Sequence, residues 1–406
     1  MLLMLLALPA AAADRDRLLY HAETLAGEVV ISRDADVPFN PASVVKAGTT
    51  LWALERLGAG YRYATVFGST GPPNPSRGRI VGSLVVEGGG DPDFQVENAL
   101  LAVHALNGMG LREVTGDLVV EGPFFMGWEN GIERRSTDPT RRLLAMGERL
   151  RAVLEPARWQ PSTRSAWLDL CARHGLDDER PPRLRVAGAV RIGAPPTSLP
   201  LLIHRSNPLA TLLKRFNTYS NNDLIRVADN LGGVGPLVTF LRTRLGAAPA
   251  DIHLATASGQ GRNRITARLV VGLIRELGAA AARQGLDLTD LLPVPGCDPG
   301  PTRRMFPKLV AGPHAHSVVC KTGTLTTTDG GVAVLAGAFT SPSLGTVLFC
   351  VAAPGSDHQQ TRWRRLEQEW LLDLVDRAGG AVPFGCGGDL PFSDSEATVE
   401  IVPTAG

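Results

Sequence analysis

Three short polar motifs that lie far apart along the chain constrain its fold more than any other feature. They are S-x-x-K at residues 43–46, S-N-N at residues 220–222 and K-T-G at residues 321–323. Each motif occurs once, and together they are typical of a catalytic set built from serine and lysine. A fold that uses this set must bring all three segments to one place.

Lysine is scarce in this chain, which makes its positions informative. Lys46, Lys214, Lys308 and Lys321 are the only lysines, and arginine supplies nearly all of the remaining positive charge. A buried amine can lose its proton near neutral pH, whereas a guanidinium cannot, so a catalytic base of this kind must be a lysine. Two of the four lysines lie in the motifs.

The first motif lies at the predicted start of a helix. Two short strand-like runs precede Asn40-Pro41, and the pattern from Ser43 to about Leu57 is helical. Ser43 then falls in the first turn, and Lys46 lies one turn later on the same face. A lysine that is buried near a second cation has a lowered pKa and can take the serine proton. Ser43 is therefore the predicted nucleophile and Lys46 its base.

The other two motifs supply the remaining groups that such a site needs. K-T-G follows an apolar run, so Lys321 and Gly323 point to one face of a strand. Lys321 supplies the second cation, and Gly323 allows a substrate backbone to approach closely. Ser220 and Asn222 lie in a polar break between two helical stretches, where the hydroxyl can relay a proton and the amide can orient Lys46.

Composition and missing motifs exclude several other classes of protein. Lys plus Arg total 41 against 40 for Asp plus Glu, so net charge gives no support for a nucleic-acid partner. No P-loop, zincin or α/β-hydrolase signature is present. We expect neither a cofactor nor a metal, because the H-x-H of His314 and His316 has no third ligand at a useful spacing.

The first thirteen residues form a short apolar run closed by small residues, although no basic residue precedes it. This pattern predicts a secretory signal at 1–13 and a periplasmic or otherwise extracytoplasmic location, with peripheral membrane contact left open. No later stretch has the length of a membrane span.

The five cysteines include no C-x-x-C pair. Cys320 and Cys350 lie in apolar runs and are expected to be core thiols, and one disulfide elsewhere stays open.

Beyond the three motifs, the sequence resembles the low-molecular-mass class C penicillin-binding proteins, the D-alanyl-D-alanine carboxypeptidase/endopeptidase family. The resemblance spans most of the chain and is carried by NPASVVKAGTT at 40–50, GGGDPDF at 88–94, GDLVVEGPFF at 116–125, YSNNDLIRVADNL at 219–231, SGQGRNRIT at 258–266, LPVPGCDPG at 292–300 and CKTGTLTTTDGGVAVLAG at 320–337.

The resemblance implies an α+β fold, with a serine DD-peptidase (β-lactamase/transpeptidase-like) domain whose antiparallel sheet is flanked by helices. The wide separation of Ser43 from Ser220 matches the family's habit of inserting an accessory domain, which we expect to be mainly β. The predicted organisation is a signal peptide at 1–13, a discontinuous peptidase domain at 14–65 and 201–380, an insertion at 66–200 and an unassigned tail at 381–406.

The resemblance also implies an activity. Acylation of Ser43 would cleave a D-Ala-D-Ala-type bond in peptidoglycan stem peptides or cross-links, and β-lactam antibiotics would acylate the same serine. The family roles that match positions of this chain are proton relay for Ser220, Asn222 and Lys321, substrate binding for Thr322, Gly323 and Thr324, and an oxyanion hole made by the N–H groups of Ser43 and Thr324. Arg262 is expected to pair with a substrate carboxylate.

Two departures from the family pattern concern the substrate-facing side more than the acylation chemistry. Thr256 stands where the family usually has Asp, and the stretch at about 134–200 is short and rich in arginine.

Three alternative functions stay open: a β-lactamase, an esterase on the same fold, and a catalytically dead cell-wall-binding module. The sequence also leaves open the choice between carboxypeptidase and endopeptidase, and the oligomeric state.

Overall fold

The computed structural model describes residues 17–131 and 136–403. Its strands are β1 (Leu19–Thr24), β2 (Val29–Arg33), β3 (Ala64–Ser69), β4 (Pro73–Asn74), β5 (Arg79–Ile80), β6 (Leu84–Gly88), β7 (Glu113–Val114), β8 (Leu118–Glu121), β9 (Arg185–Val186), β10 (Val190–Ile192), β11 (Leu199–Arg205), β12 (Val319–Leu325), β13 (Val332–Ser341), β14 (Gly345–Pro354) and β15 (Thr398–Ile401). Its α-helices are α1 (Val45–Leu57), α2 (Val96–Gly108), α3 (Pro139–Leu154), α4 (Pro161–His174), α5 (Leu209–Thr218), α6 (Ile225–Asn230), α7 (Val234–Leu245), α8 (Ala267–Ala282), α9 (Pro301–Met305) and α10 (Gln360–Arg377).

The described chain divides into two units. The first, the peptidase unit, contains residues 17–59 and 213–390, and the second, the inserted unit, contains residues 60–212 and 391–403. The boundaries predicted at 65/66 and 200/201 therefore move to 59/60 and 212/213, because β3 and β11 pair with each other in the sheet of the inserted unit. The signal segment predicted at 1–13 lies outside the described residues.

The peptidase unit is built around a five-stranded antiparallel sheet in the order β12-β13-β14-β1-β2. The strands β13 and β14 are apolar at nearly every position because helices cover both faces of the sheet. Phe349 packs on the side of α10, together with Trp363 and Leu366. The adjacent residue Leu348 points to the opposite face, where α8 contacts β14 and Ile274 lies. The predicted antiparallel sheet with flanking helices is thus confirmed.

The inserted unit carries a six-stranded mixed sheet in the order β10-β8-β6-β3-β11-β15 and a small four-stranded sheet in the order β4-β5-β7-β9. Three helices, α2, α3 and α4, pack on a shared core through side chains such as Leu100, Leu150 and Trp167. The inserted unit is therefore mixed α/β, whereas the sequence predicts a mainly β insertion. The helices α3 and α4 are polar and have few buried positions.

The described part of the predicted tail, residues 381–403, is divided between the two units. Within the peptidase unit, Cys386 forms a disulfide with Cys297, and the Phe384 N–H donates to the carbonyl oxygen of His316 at 2.8 Å. Within the inserted unit, β15 pairs antiparallel with β11 and forms an edge of the larger sheet. The other cysteines, Cys171, Cys320 and Cys350, are buried free thiols, which agrees with the expectation for the last two.

Among residues 17–131 and 136–403, no single helix is both long enough and apolar enough to cross a membrane. One pair of successive helical segments meets the same length and composition criteria only when taken together. The two segments are Asn222–Asn230 and Val234–Leu245, and they meet at a bend of 86°.

Candidate active site

The nucleophile candidate Ser43 lies where a 3₁₀ turn, Ala42–Val44, runs into α1. Ala42 is buried and has a positive φ of 47°, and its N–H donates to the side-chain oxygen of Asn40 at 3.1 Å. A residue other than glycine in the left-handed region costs on the order of 1 kcal/mol, so surrounding contacts must hold this turn. The turn leaves Ser43 half-buried at the start of the helix.

Two glycines explain how neighbouring segments come close to Ser43. At Gly259, whose φ is 88°, a Cβ atom would overlap the carbonyl group of Ala42. At Gly323 a Cβ atom would overlap the carbonyl oxygen of Pro41 and lie 3.3 Å from the Ser43 nitrogen. Glycine at position 323 is therefore required for β12 to pack against the turn Ala42–Val44, which is called the catalytic turn below because it contains Ser43. This requirement adds to the close approach of a substrate that the sequence predicts.

Lys46 is fully buried, and its Nζ lies within hydrogen-bond distance of three oxygen atoms. The Nζ is 2.7 Å from Ser43 Oγ, 2.8 Å from Asn222 Oδ1 and 2.7 Å from the carbonyl oxygen of Ser258. None of the three acceptors is a carboxylate, so none offers a negative charge that would stabilise the ammonium form. Burial, followed by the charge of Lys321, lowers the pKa of Lys46 well below its usual range.

This arrangement suits Lys46 in its neutral form. A neutral amine has two N–H donors and one lone pair. Donation to Asn222 and to the Ser258 carbonyl leaves the lone pair facing Ser43 Oγ, whose hydroxyl can then donate to the amine. A lysine placed in this way can take the serine proton as the oxygen attacks.

Lys321 and Ser220 form a second pair of amine and hydroxyl. Lys321 is buried on β12, and its Nζ donates to Ser220 Oγ at 2.9 Å and to the carbonyl oxygen of Thr322 at 2.8 Å. Burial is the main cause that lowers the pKa of Lys321 to about 7. The neighbouring Cys320 thiol raises this pKa, and Arg364 lowers it.

Ser220 and Asn222 occupy the polar break that the sequence predicted between two helices. Ser220 has a positive φ of 51° just beyond α5, and Asn222 begins a 3₁₀ turn that leads into α6. Asn221 caps this turn, because its side-chain oxygen accepts a hydrogen bond from the Asp223 N–H at 2.8 Å. Ser43, Lys46 and Asn222 thus form one hydrogen-bonded set, and Ser220 and Lys321 form a second. The charge of Lys321 acts on Lys46 across the two sets.

The pleat of β12 divides its side chains between two faces. Cys320 belongs to the core on the side of α10, so Lys321 and Gly323 point the other way, toward the catalytic turn. Thr322 and Thr324 share the face of Cys320. Thr322 is buried and Thr324 is half-buried. β12 is an edge strand of its sheet, and on its outer side the Cys320 N–H donates to the carbonyl oxygen of Pro293 at 2.9 Å.

Arg262 is 82% exposed, and its Nε lies 3.6 Å from the carboxylate of Asp329. The same carboxylate accepts hydrogen bonds from Arg264 at 2.7 Å and from Asn40 at 2.8 Å. The structure therefore places Arg262 beside an acidic side chain. A substrate carboxylate would have to compete with Asp329 for this guanidinium.

Two contacts of the site are absent from the set predicted by sequence. The first is the carbonyl oxygen of Ser258, which accepts from Lys46 and which no side-chain motif marks. The second is Arg364 on α10, whose Nη2 donates to Thr324 Oγ1 at 2.5 Å and to the carbonyl oxygen of Gly323. A basic and an acidic residue one helical turn apart, Arg364 and Glu367, are the signal that could have drawn attention to the second contact.

The hydrogen bonds described above do not require a cofactor. The residues whose side chains could together bind a metal ion lie at a different place in the structure. Within the described part of the chain, Cys297, His316 and Cys386 are the one group of three potential ligands within reach of each other. Their two sulfur atoms form a disulfide, so neither is a thiolate ligand. His314 lies 3.8 Å from the carboxylate of Asp376.

Comparison with known proteins matches the chain to one family. The model of the D-Ala-D-Ala carboxypeptidase 3 (S13) family covers residues 15–140 and 183–369, which is more than half of the sequence. A D-alanyl-D-alanine carboxypeptidase from Actinomadura sp. (strain R39) is 33% identical over 103 residues, which are 25% of this chain and 19% of that protein. The matched part is thus about a fifth of that relative's length.

Solved structures support the same fold. The Bd0816 predatory endopeptidase from Bdellovibrio bacteriovorus has a TM-score of 0.78 and 23% identity, over 94% of this chain and 99% of the other. The penicillin G-acylated Bd3459 predatory endopeptidase from the same organism has a TM-score of 0.74 and 22% identity, over 94% and 99%. At these identities the similarity shows the fold.

Proposed function

This chain belongs to the D-Ala-D-Ala carboxypeptidase 3 (S13) family, and we propose that it is a serine peptidase that cleaves D-alanyl-D-alanine-type bonds of peptidoglycan. The observation that carries this proposal is the buried Lys46 amine, 2.7 Å from Ser43 Oγ and bonded only to neutral oxygens in the contacts described above. The carboxypeptidase from Actinomadura and the endopeptidases from Bdellovibrio support the same reaction class.

Acylation begins with proton transfer from Ser43 Oγ to the neutral Lys46 amine while the oxygen attacks the carbonyl carbon of the penultimate D-alanine. The N–H groups of Ser43 and Thr324 stabilise the oxyanion. The peptide C–N bond then breaks, and the leaving amine takes a proton from Ser220, which Lys321 can replace through its 2.9 Å contact. In the second half-reaction water attacks the ester, and its proton passes through Ser220 to Lys321. As the ester C–O bond breaks, Ser43 takes its proton back from Lys46, which restores both lysines.

The free carboxylate of the substrate is expected at the end of β12. Lys321 supplies a cation there while it remains protonated, and the hydroxyl groups of Thr322 and Thr324 supply neutral donors. The leaving group of the scissile bond is a single D-alanine for a carboxypeptidase and a cross-linked peptide for an endopeptidase. These two leaving groups differ only in what lies beyond this carboxylate. A carboxypeptidase and an endopeptidase can therefore share the acylation machinery.

β-Lactam antibiotics should acylate Ser43 as slowly released substrate analogues. The Bd3459 endopeptidase of similar fold has been solved in a penicillin G-acylated form, which supports this part of the proposal. Purified protein incubated with a fluorescent penicillin should carry one adduct, which peptide mass spectrometry should locate at Ser43. Ser43→Ala should abolish the adduct, and Lys46→Met should slow its formation by about 10³-fold or more.

The control for Lys46→Met is Lys308→Met, the same substitution at an exposed lysine. This variant should retain the wild-type rate of acylation. Release of D-alanine from a pentapeptide, compared with cleavage of a cross-linked dimer, then separates carboxypeptidase from endopeptidase activity. Rapid turnover of the penicillin without a lasting adduct would instead support a β-lactamase, and a folded protein with neither adduct nor turnover would contradict the proposal.

We infer further that the protein works outside the cytoplasm. The Cys297–Cys386 disulfide supports this location because such bonds persist mainly in oxidising compartments. The apolar run at 1–13 points the same way. Cell fractionation tests this inference, together with mass spectrometry of the mature N-terminus. Recovery in the cytoplasm with five alkylatable thiols would count against it.

A further inference from the structure

Arg364 is a buried cation that the acylation steps above do not use. It lies on α10 with 4% of its surface exposed, on the helix face that covers the sheet. Burial of a guanidinium is costly unless its N–H groups are satisfied. Its contacts should therefore show what this residue does.

The guanidinium connects α10 to the two strands at the edge of the sheet. Nη1 donates to the carbonyl oxygen of Val334 on β13 at 2.8 Å, and Nη2 donates to the carbonyl oxygen of Gly323 and to Thr324 Oγ1 on β12. Gly323 and Val334 are partners in the register of these strands. Arg364 thus fixes the end of β12 at the point where Thr324 lies.

The contact with Thr324 determines what its hydroxyl can do. A threonine hydroxyl has one donor and two acceptor sites. Because Arg364 is donor only, it occupies an acceptor site and leaves the O–H of Thr324 free to donate. A donor that is itself hydrogen-bonded to a cation is polarised and becomes a better partner for an anion. Thr324 is half-buried and lines one pocket together with Arg364, which is only 4% exposed, so Arg364 offers a ligand less surface than Thr324 does.

Glu367 completes the cluster without fully balancing it. It is entirely buried one helical turn from Arg364, and its Oε2 accepts from Nη1 at 2.6 Å. Its other oxygen, Oε1, has no hydrogen-bond partner among the described residues. Burial raises the pKa of Glu367 to about 7, and the charge and hydrogen bond of Arg364 oppose the rise. Arg364 therefore contributes positive potential behind Thr324 that Glu367 offsets only in part.

We propose that Arg364 is a positioning residue for substrate carboxylate: it orients and polarises the Thr324 hydroxyl at the end of β12, and so favours substrates with a free carboxylate beyond the scissile bond. This role rests on the proposed function, because it requires Ser43 to be acylated. Arg364 acts through Thr324 and does not touch the substrate.

The test compares benzylpenicillin with its methyl ester, which differs only in lacking the free carboxylate. The rate constant for acylation of Ser43 is measured for both compounds by mass spectrometry. In Arg364→Met, acylation by the acid should fall by about 10- to 100-fold, while acylation by the ester should change by less than about 3-fold. Arg364→Lys keeps the charge but not the forked geometry, and should fall between the wild type and Arg364→Met.

The matched control is Arg365→Met, the same substitution one residue later at a side chain with 64% exposure. It should leave both rates unchanged. Since Arg364→Met alone leaves Glu367 unpaired, the double variant Arg364→Met/Glu367→Gln provides a form without the buried charge. Circular dichroism checks its folding, and the loss should again be selective for the acid.

The two proposals fail in different ways in this experiment. If Arg364→Met slows both compounds equally, or neither, the residue is a general part of the scaffold and the positioning role is wrong. If the wild-type protein forms no Ser43 adduct with either compound, the proposed function itself is wrong and the role of Arg364 falls with it.

Discussion

Lys46 and Lys214 are two lysines withdrawn from solvent in the same unit, and the oxygen atoms around them differ in charge. Lys46, on α1, lies against the oxygens of Ser43, Asn222 and Ser258, all of them neutral. Lys214, on α5, donates to the carbonyl oxygens of Thr289 and Leu292 and to the carboxylate of Asp298. Each amine has three oxygen neighbours, but only Lys214 has an anion.

The difference explains why one lysine can act as a base while the other holds a loop. Burial lowers the pKa of both, but Asp298 opposes the effect at Lys214, whereas the charge of Lys321 adds to it at Lys46. A lysine paired with a carboxylate keeps its proton and joins the chain segments that surround it. A lysine among neutral acceptors and a second cation can release its proton. One carboxylate therefore separates Lys214 from Lys46, the lysine proposed as the base.

The largest expected effect comes from giving Lys46 the carboxylate that it lacks. Asn222→Asp keeps the shape of the side chain and places an anion at the atom now 2.8 Å from Nζ. The pKa of Lys46 should rise, and acylation of Ser43 by penicillin at pH 7 should fall by about 10³-fold. Because the base is lost to protonation and not to misplacement, the rate should recover as pH is raised. Stopped-flow measurement between pH 6 and pH 10 tests this.

Asn222→Ala is the control that removes the acceptor without adding charge. Its rate should fall less than that of Asn222→Asp and should show no comparable recovery at high pH. Equal losses with the same pH profile in both variants would mean that Asn222 only positions a ligand. The charge difference between Lys46 and Lys214 would then not explain their roles.

A smaller effect, on stability, is expected when Lys214 loses its anion. Asp298→Asn leaves a largely buried ammonium without its hydrogen-bonded carboxylate, although the amide oxygen can still accept one hydrogen bond. We expect the free energy of unfolding to fall by about 2 kcal/mol, with acylation per folded molecule unchanged. Urea denaturation measures the first quantity, and active-site titration with labelled penicillin measures the second.

Asp389→Asn is the control, because this aspartate is exposed in the same unit and its charge is not among those that act on Lys214. It should alter the stability by no more than about 0.5 kcal/mol. A stable Asp298→Asn protein with reduced acylation would reverse the interpretation and link Lys214 to the chemistry.

The sequence predicts the parts of this site that depend on local pattern. The start of α1 near Ser43 follows from Asn40-Pro41 and the helical run after it, and β12 follows from the apolar residues before Lys321. Periodicity within a few residues decides both elements. The order of the motifs and the family resemblance then supply the remaining step, which is that these segments meet.

What the sequence does not predict depends on packing between distant residues. Arg364 reaches Thr324 only because α10 lies across the sheet, and no spacing along the chain records that contact. The β15 strand is short and mostly exposed, so it carries no apolar alternation that would place it beside β11. The carbonyl oxygen of Ser258 is invisible to any motif because every residue has one.

The comparison extends to Lys321, which shares the neutral surroundings of Lys46, through the pH dependence of stability. Its Nζ donates to Ser220 Oγ and to the carbonyl oxygen of Thr322, and its folded-state pKa is about 7 against 10.5 for an ordinary lysine. Between these values the unfolded chain binds more protons than the folded protein, so the contribution of Lys321 to stability rises with pH from about 7 toward 10. Below pH 7 the full cost of burying the charged amine applies.

Lys321→Met should therefore be more stable than the wild type at pH 6, and should lose most of that advantage by pH 9.5. Thermal unfolding of both proteins across this range measures the difference, with Lys308→Met as the exposed control. Parallel curves for Lys321→Met and the wild type would mean that the amine keeps its proton in the folded protein, and that neutral acceptors alone do not make a buried lysine a proton donor and acceptor.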